Sequence, residues 1–149
     1  MKVVALSAGI AKAELGVEQS GHETLMFCEI DSSAHAVSKH HFPNVFLVSD
    51  VRIVKSPSGD TELITAGLLR QDLSQTGRRE EINGSKSSVV AHSFRLLCNT
   101  KMPNFLVENV LFMHQLKKDQ AIHYLVDSLE KLSYKWAYRV VDALALAPP

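Results

Sequence analysis

Residues 61–77 read TELITAGLLRQDLSQTG, and the fold turns on them. Leu63, Ile64, Thr65 and Ala66 form a short apolar run. Gly67 breaks that run into a polar loop carrying Gln71, Asp72, Ser74, Gln75 and Gly77. A buried strand that opens into a polar loop at its carboxyl end is where an open α/β sheet keeps its chemistry.

The flanking sequence supplies the rest of such a sheet. Residues 2–6 are a continuous apolar run ending at Ser7-Ala8-Gly9, the pattern of a fully buried parallel strand and its turn. Residues 10–18 predict a helix stopped near Ser20-Gly21. A second strand at 24–29 ends in the acids Glu29 and Asp31. Residues 32–41 predict a second helix, with Asp31 or Ser32 as N-cap and Pro43 as its stop. Residues 45–48 form a third strand, ended by Ser49-Asp50. Strand, helix, strand, helix, strand is the first half of a doubly wound sheet.

Downstream, Pro57-Ser58-Gly59 predicts a turn before the Leu63 strand, and residues 78–86 (RREEINGSK) a charged loop. Residues 87–99 carry Val89, Val90, Phe94, Leu97 and Cys98 at helical spacing. Residues 104–107 predict a strand running into Glu108-Asn109-Val110. Residues 117–132 predict an amphipathic helix with Ile122, Leu125, Val126 and Leu129 on one face. Residues 136–143 predict a last strand. The absence of repeats, low-complexity tracts and linkers makes residues 1–149 a single domain.

A chain of 149 residues is long enough for one core, and 46% apolar content is ordinary for a globular protein. Sixteen basic and sixteen acidic side chains cancel, so no net field draws in nucleic acid or a membrane. Cys28 and Cys98 have no metal-binding spacing and read as buried thiols of a reducing, cytoplasmic protein. The seven histidines are scattered, so no metal is expected. The apolar start reads as a strand and not a signal peptide, and no run approaches membrane-spanning length.

The strand ends carry the candidate chemistry. Gly9, between a first strand and a helix, lets the backbone approach a ligand at the helix N-terminus. Glu29, twenty residues later, has the spacing of an acid that accepts both ribose hydroxyls. Asp50, at the end of the third strand, can accept from an adenine amino group. Together the three favour an adenosine ligand. The alternative for Glu29 and Asp50 is a helix cap or a solvated loop acid.

Several stretches resemble one family in combination. The loop at residues 65–77 is similar to the nucleophile loop of the DNA (cytosine-5) methyltransferases, where TAG-Phe-Pro-Cys-Gln-Asp-Leu-Ser-Gln is usual. The run SAGIAKAELGVEQSGHETLMFCEIDSSAHAVSKHHFPNV at residues 7–45 resembles the family's first two motifs. SDVR (49–52) resembles its third motif and VENV (107–110) its sixth, so the likeness covers nearly the whole chain. It implies a Rossmann-like three-layer α/β fold of the S-adenosylmethionine-dependent methyltransferases, with a mainly parallel sheet, in truncated form. It implies S-adenosylmethionine as cofactor, with Ser7, Ala8, Gly9 and Ile10 at the methionine side, Glu29 at the ribose, and Ile30, Asp50 and Val51 at the adenine. Val89 matches a position that lines the same pocket.

The departures from the family text carry expectations of their own. Ser7 replaces an aromatic wall, Ala11 adds a methyl in place of a glycine, and Lys12 brings a cation where a second glycine is usual. Weakened cofactor affinity is the expectation. Methylating carbon 5 of cytosine needs a thiolate to add at carbon 6, and the base must be flipped out of the duplex. Where the family keeps that cysteine, this chain has Arg70, which is always protonated and offers only donors. Glu108 matches the family's acid, although as a strand-end residue it can equally be a cap.

After Ala143 the sequence reads LALAPP, where the family continues with a Gln-Arg-Arg motif, a target-recognition domain and a closing helix. The resemblance thus implies a relative of restriction-modification enzymes that binds S-adenosylmethionine without transferring methyl groups on its own, with DNA as a weak, sequence-blind partner. A second reading is a non-catalytic partner of a full methyltransferase or of a DNA complex, where a second protein supplies the missing segments. Arg70, Arg78 and Arg79 would then be phosphate contacts, or else part of a solvated loop with Glu80 and Glu81. A third is a gene product without a selected role.

Overall fold

A computed structural model of the chain describes residues 1–57, 59–67, 89–108 and 120–141. Its centre is β1 (Lys2–Leu6), whose Val3, Val4, Ala5 and Leu6 are all buried. A strand without a polar face needs cover on both sides and partners on both edges. β1 has both partners, pairing in parallel with β2 (Glu23–Cys28) and with β4 (Leu63–Gly67). The flanks are β3 (Phe46–Val48) and β5 (Asn104–Glu108), and the five-stranded order is β3-β2-β1-β4-β5 with every pairing parallel. β5 alternates exposed and half-buried residues, as a border strand does.

Helices cover both faces. α1 (Lys12–Gln19) and α2 (Ser32–His41) lie on the side of Ala5 and Phe27, where Ala11 and Phe42 complete a small cluster. Phe27 and Phe42 meet edge to face at 5.1 Å. On the other face Val4, Leu6, Ile64 and Ala66 pack with Val90, Leu96 and Leu97 of α3 (Val89–Thr100) and Leu125 of α4 (Gln120–Lys131). Three layers result, so the predicted Rossmann-like architecture is the one observed. Among the described residues no helix is long and apolar enough to cross a membrane.

Local chemistry sets the helix ends. The Asp31 carboxylate accepts from the backbone N–H groups of Ser33 (2.7 Å) and Ala34 (3.2 Å), which caps α2 as expected. Those bonds hold its pKa below the usual aspartate value. α1 starts two residues later than the pattern predicts. Ala11 sits in the left-handed region (φ 60°, ψ 35°), so the helix cannot begin before Lys12.

Two expectations fail. Residues 136–143 were expected to form a strand, yet 134–141 have no ladder among the described residues, and Trp136, Tyr138, Val140 and Val141 are exposed. The alternating pattern is present, but a strand exists only against a partner. Trp136 stacks on Tyr138 instead, at 6.4 Å and 18°. Cys98, expected to be buried, is exposed. The buried stripe of α3 runs through Val90, Ser93, Leu96 and Leu97, and Cys98 lies about 100° beyond Leu97. Cys28 is buried as expected, and burial pushes its thiol up to about 12, with the nearby carboxylates of Asp50 and Glu29 adding to the effect.

One acid is out of place in this core. Glu14 of α1 is only 2% exposed, and its Oε1 accepts from the Thr65 hydroxyl of β4 at 2.9 Å. Its Oε2 has no hydrogen-bond partner among the described residues. Burial raises the Glu14 pKa above the ordinary 4.5, against the lowering effect of its backbone and Thr65 hydrogen bonds. The folded chain therefore holds this proton to higher pH than the unfolded chain does. The contribution to stability is complete below the unfolded value and is lost as pH rises through the folded one. Glu14→Gln keeps the acceptor for Thr65 and removes the titration. Thermal melting from about pH 4 to about pH 8 should show the parent losing stability with rising pH more steeply than this variant, with the variant the more stable at the alkaline end.

Candidate functional site

The sheet register brings the strand ends to one edge. Leu6 pairs with Cys28 and Ala66, Cys28 with Val48, and Gly67 with Glu108. Ser7, Glu29, Asp50, Gly67 and Glu108 consequently follow or end neighbouring strands at the carboxyl border, the place where parallel sheets bind ligands.

The turn after β1 is tightly wound. Ser7 (φ 51°), Gly9 (φ 55°) and Ala11 (φ 60°) all adopt positive φ. Ala8 N–H donates to the Cys28 carbonyl at 3.3 Å, and Ala11 N–H to the Ala8 carbonyl at 2.9 Å. Among the described residues no atom lies within 4 Å of a Cβ built on Gly9, so they leave the face of the turn open there. Ala11 faces the other way: it is 0% exposed and packs with Ala5, Phe27 and Phe42. Its methyl thus fills the core. Lys12 is exposed at the start of α1.

Three backbone N–H groups converge on the Glu29 carboxylate. Its Oε2 accepts from Gly9 N–H at 2.7 Å, and its Oε1 from the N–H groups of Ile30 (2.7 Å) and Asp31 (2.9 Å). Its main-chain carbonyl is bonded to Nε2 of His35. A carboxylate has about four acceptor sites, so roughly one remains open. Beside it Ile30 is 74% exposed and Ile10 44% exposed, two aliphatic side chains facing solvent at a polar edge. Asp50 is gripped by Arg52, whose Nε lies 2.8 Å from Oδ2 and whose Nη2 lies 2.6 Å from it. That pairing holds the Asp50 carboxyl below the usual aspartate range. Val51 is half-buried against the main core, and Val89, the first residue of α3, packs on the same core.

The other half of the edge is β4 and β5. Gly67 approaches the first turn so closely that a Cβ would lie 2.9 Å from the Ser7 carbonyl oxygen. Only glycine fits there. Glu108 is exposed at the end of β5, opposite Gly67. Arg70, Arg78 and Arg79 lie outside the described residues. Among the described residues, no group of three or more His, Cys, Asp and Glu side chains is placed to hold a metal ion.

Two residues of the site lay beyond sequence reasoning. Ser38 of α2 is 1% exposed and donates from Oγ to the Gly9 carbonyl at 3.1 Å. Arg95 of α3 donates from Nη2 to the carbonyls of Val51 (3.0 Å) and Val54 (2.8 Å), fastening the loop after β3. Each is a polar residue in a helical pattern whose partner is a distant backbone carbonyl, so no local spacing signals it.

The model of the family described as C-5 cytosine-specific DNA methylase matches residues 1–146 of the chain. The Type II methyltransferase M2.BsuMI of Bacillus subtilis (strain 168) is 44% identical over 154 aligned residues, which take in 100% of this chain and 39% of that protein. The chain therefore spans well under half the length of that relative. Among solved structures, a Spodoptera frugiperda DNMT2 variant superposes with a TM-score of 0.65 at 19% identity, over 88% of this chain and 41% of that one. S. pombe Dnmt2 gives a TM-score of 0.65 at 17% identity, over 88% of this chain and 42% of its own. At such identities the superpositions speak for the fold.

The Gly67 contact separates two kinds of glycine. Gly67→Ala should lower stability by about 1–3 kcal/mol, because backbone meets backbone and β4 must shift away from Ser7. Gly16→Ala, in mid-α1 with nothing within 4 Å of the added Cβ, should raise it by about 0.5–1 kcal/mol. Denaturant titration of both variants checks the pair, and equal effects would contradict the close approach.

Proposed function

The chain belongs to the C-5 cytosine-specific DNA methylase family, and from that premise we propose that it binds S-adenosylmethionine at the ends of β1, β2 and β3 without itself catalysing methyl transfer. S-adenosylmethionine is the cofactor of that family. The observation that carries the reading is Glu29, a carboxylate fixed by three backbone N–H groups beside the open face of Gly9.

Each neighbouring residue has a matching part. The turn from Ser7 through Ala8 and Gly9 to Ile10 borders the methionine portion. Glu29 accepts from the ribose diol through its open site, and a second hydroxyl exchanges with one of the resident N–H donors. Ile30 gives the adenine an apolar wall, which accounts for an isoleucine left 74% exposed. Asp50 accepts from the adenine amino group once Arg52 yields part of its grip, and Val51 and Val89 complete the floor.

The reaction on DNA requires more than this. A thiolate must add to carbon 6 of a flipped cytosine, so that carbon 5 can attack the methyl group carried by the cofactor; loss of the carbon 5 proton and release of the thiolate then restore the ring. Cys28 cannot supply the thiolate, being buried with its thiol pushed up to about 12. At the loop position of the family's cysteine stands Arg70, a permanent cation. Glu108 retains the family's acid, without a nucleophile to work beside. DNA binding by this chain, with its net charge of zero, is weak and salt-sensitive.

Calorimetric titration with S-adenosylmethionine and S-adenosylhomocysteine tests the reading. Both should bind, and Glu29→Ala should weaken them by ~1.5–3 kcal/mol, the range for hydrogen bonds to a charged group. Absence of binding at millimolar ligand, or equal binding of NAD, would refute the cofactor site. Methyl transfer to DNA by the unmodified chain would refute the assignment of Arg70.

A further inference from the structure

Gly9 is held through both of its peptide groups. Its N–H is taken by Glu29 Oε2 at 2.7 Å, and its carbonyl by Ser38 Oγ at 3.1 Å. The two holders come from different elements, Glu29 from the end of β2 and Ser38 from the penultimate turn of α2. Ser38 is 1% exposed, so its hydroxyl is shielded from water that would compete for the bond. α2 is itself anchored to this corner by the Asp31 cap and by the bond between His35 and the Glu29 carbonyl.

We propose that Ser38 is a positioning residue for the adenosyl ligand, acting through Gly9 to orient the Glu29 carboxylate toward the ribose hydroxyls. Rotation of the Glu29 side chain is opposed at Oε1 by its own loop, through Ile30 and Asp31. At Oε2 the constraint is the Gly9 N–H alone among the described residues, and it can hold only while the 8–9 peptide group, to which that N–H belongs, keeps its orientation. A glycine with φ 55° has no side chain to limit rotation between its two peptide groups, so movement of the 9–10 group can draw the 8–9 group with it. The buried hydroxyl of Ser38 limits that rotation by holding the Gly9 carbonyl of the 9–10 group, while Ala11 N–H holds the Ala8 carbonyl of the 8–9 group at 2.9 Å. The acceptor site that remains on Oε2 is thereby aimed before ligand arrives, and binding loses less freedom.

This inference rests on the proposed cofactor site, and one set of titrations tells the two apart. The full chain and Ser38→Ala are titrated with S-adenosylhomocysteine and with its 2′,3′-dideoxy analogue, which lacks the hydroxyls that Glu29 would accept. The expected result is about a fivefold loss of S-adenosylhomocysteine affinity in Ser38→Ala, the scale of one net hydrogen bond, and no loss for the dideoxy analogue. Hydrogen exchange at the Gly9 amide should quicken in the same variant, with the remaining strand amides unchanged. Equal losses for both ligands would overturn the inference, because a merely structural serine would not distinguish them. Failure of the unsubstituted chain to bind S-adenosylhomocysteine would overturn the cofactor site and the inference with it. Should Ser38→Ala not fold, Ser38→Cys retains volume and a weaker donor, and the same selective loss for the hydroxylated ligand is required of it.

Discussion

The parallel ladders on either side of β1 determine where everything else lies. β1 is buried on both faces and paired along both edges, so it cannot slip without exposing its core residues and breaking two ladders at once. Leu6 is aligned with Cys28 on one side and with Ala66 on the other. That alignment alone puts the turn after β1, the acid after β2 and the loop after β4 at one level. The charged and polar residues of the edge owe their proximity to apolar residues beneath them.

The turn at that level is held in a conformation its residues do not prefer. Ser7 and Ala11 are non-glycine residues with φ of 51° and 60°, each costing on the order of 1–2 kcal/mol relative to right-handed geometry. Such a turn persists because its surroundings over-determine it. Cys28 accepts from Ala8, Glu29 from Gly9, Ser38 donates to Gly9, Gly67 presses against Ser7, and the Ala11 methyl is locked among Phe27 and Phe42. The strain is concentrated where the backbone faces the proposed ligand and is offset by packing and hydrogen bonds from the elements around it.

The strands and helices of the first half were legible because each is announced by residues inside it. The apolar run of β1, the Asp31 cap of α2 and the stop at Pro43 act locally. What escaped was decided at a distance. A serine within α2 reads as a surface residue until the Gly9 carbonyl, 29 positions earlier, is brought against it. Arg95 reads as a solvated arginine until the loop carbonyls 44 and 41 positions earlier arrive. Ala11 gives no sign of left-handed geometry, since alanine rarely adopts it. The strand expected at 136–143 shows the converse: its local pattern is sound, and no ladder partner lies among the described residues.

The residues proposed for ligand binding and those that match the family's catalytic positions follow different strands of this edge. The proposed ligand contacts run from Ser7 to Val51 on β1, β2 and β3, with Val89 added from α3. Position 70, where the family text has its cysteine, follows β4 in sequence, and Glu108 ends β5. Among the described residues the two groups of strands meet through the pairing of Ala66 with Leu6 and the touch of Gly67 on Ser7. Both contacts are made by backbone and by small side chains that have no share in the reaction. The Gly9–Glu29–Ser38 arrangement is made by residues that follow β1 and β2 and by α2. Glycine at 67 is required by the Ser7 carbonyl whether or not a nucleophile follows it.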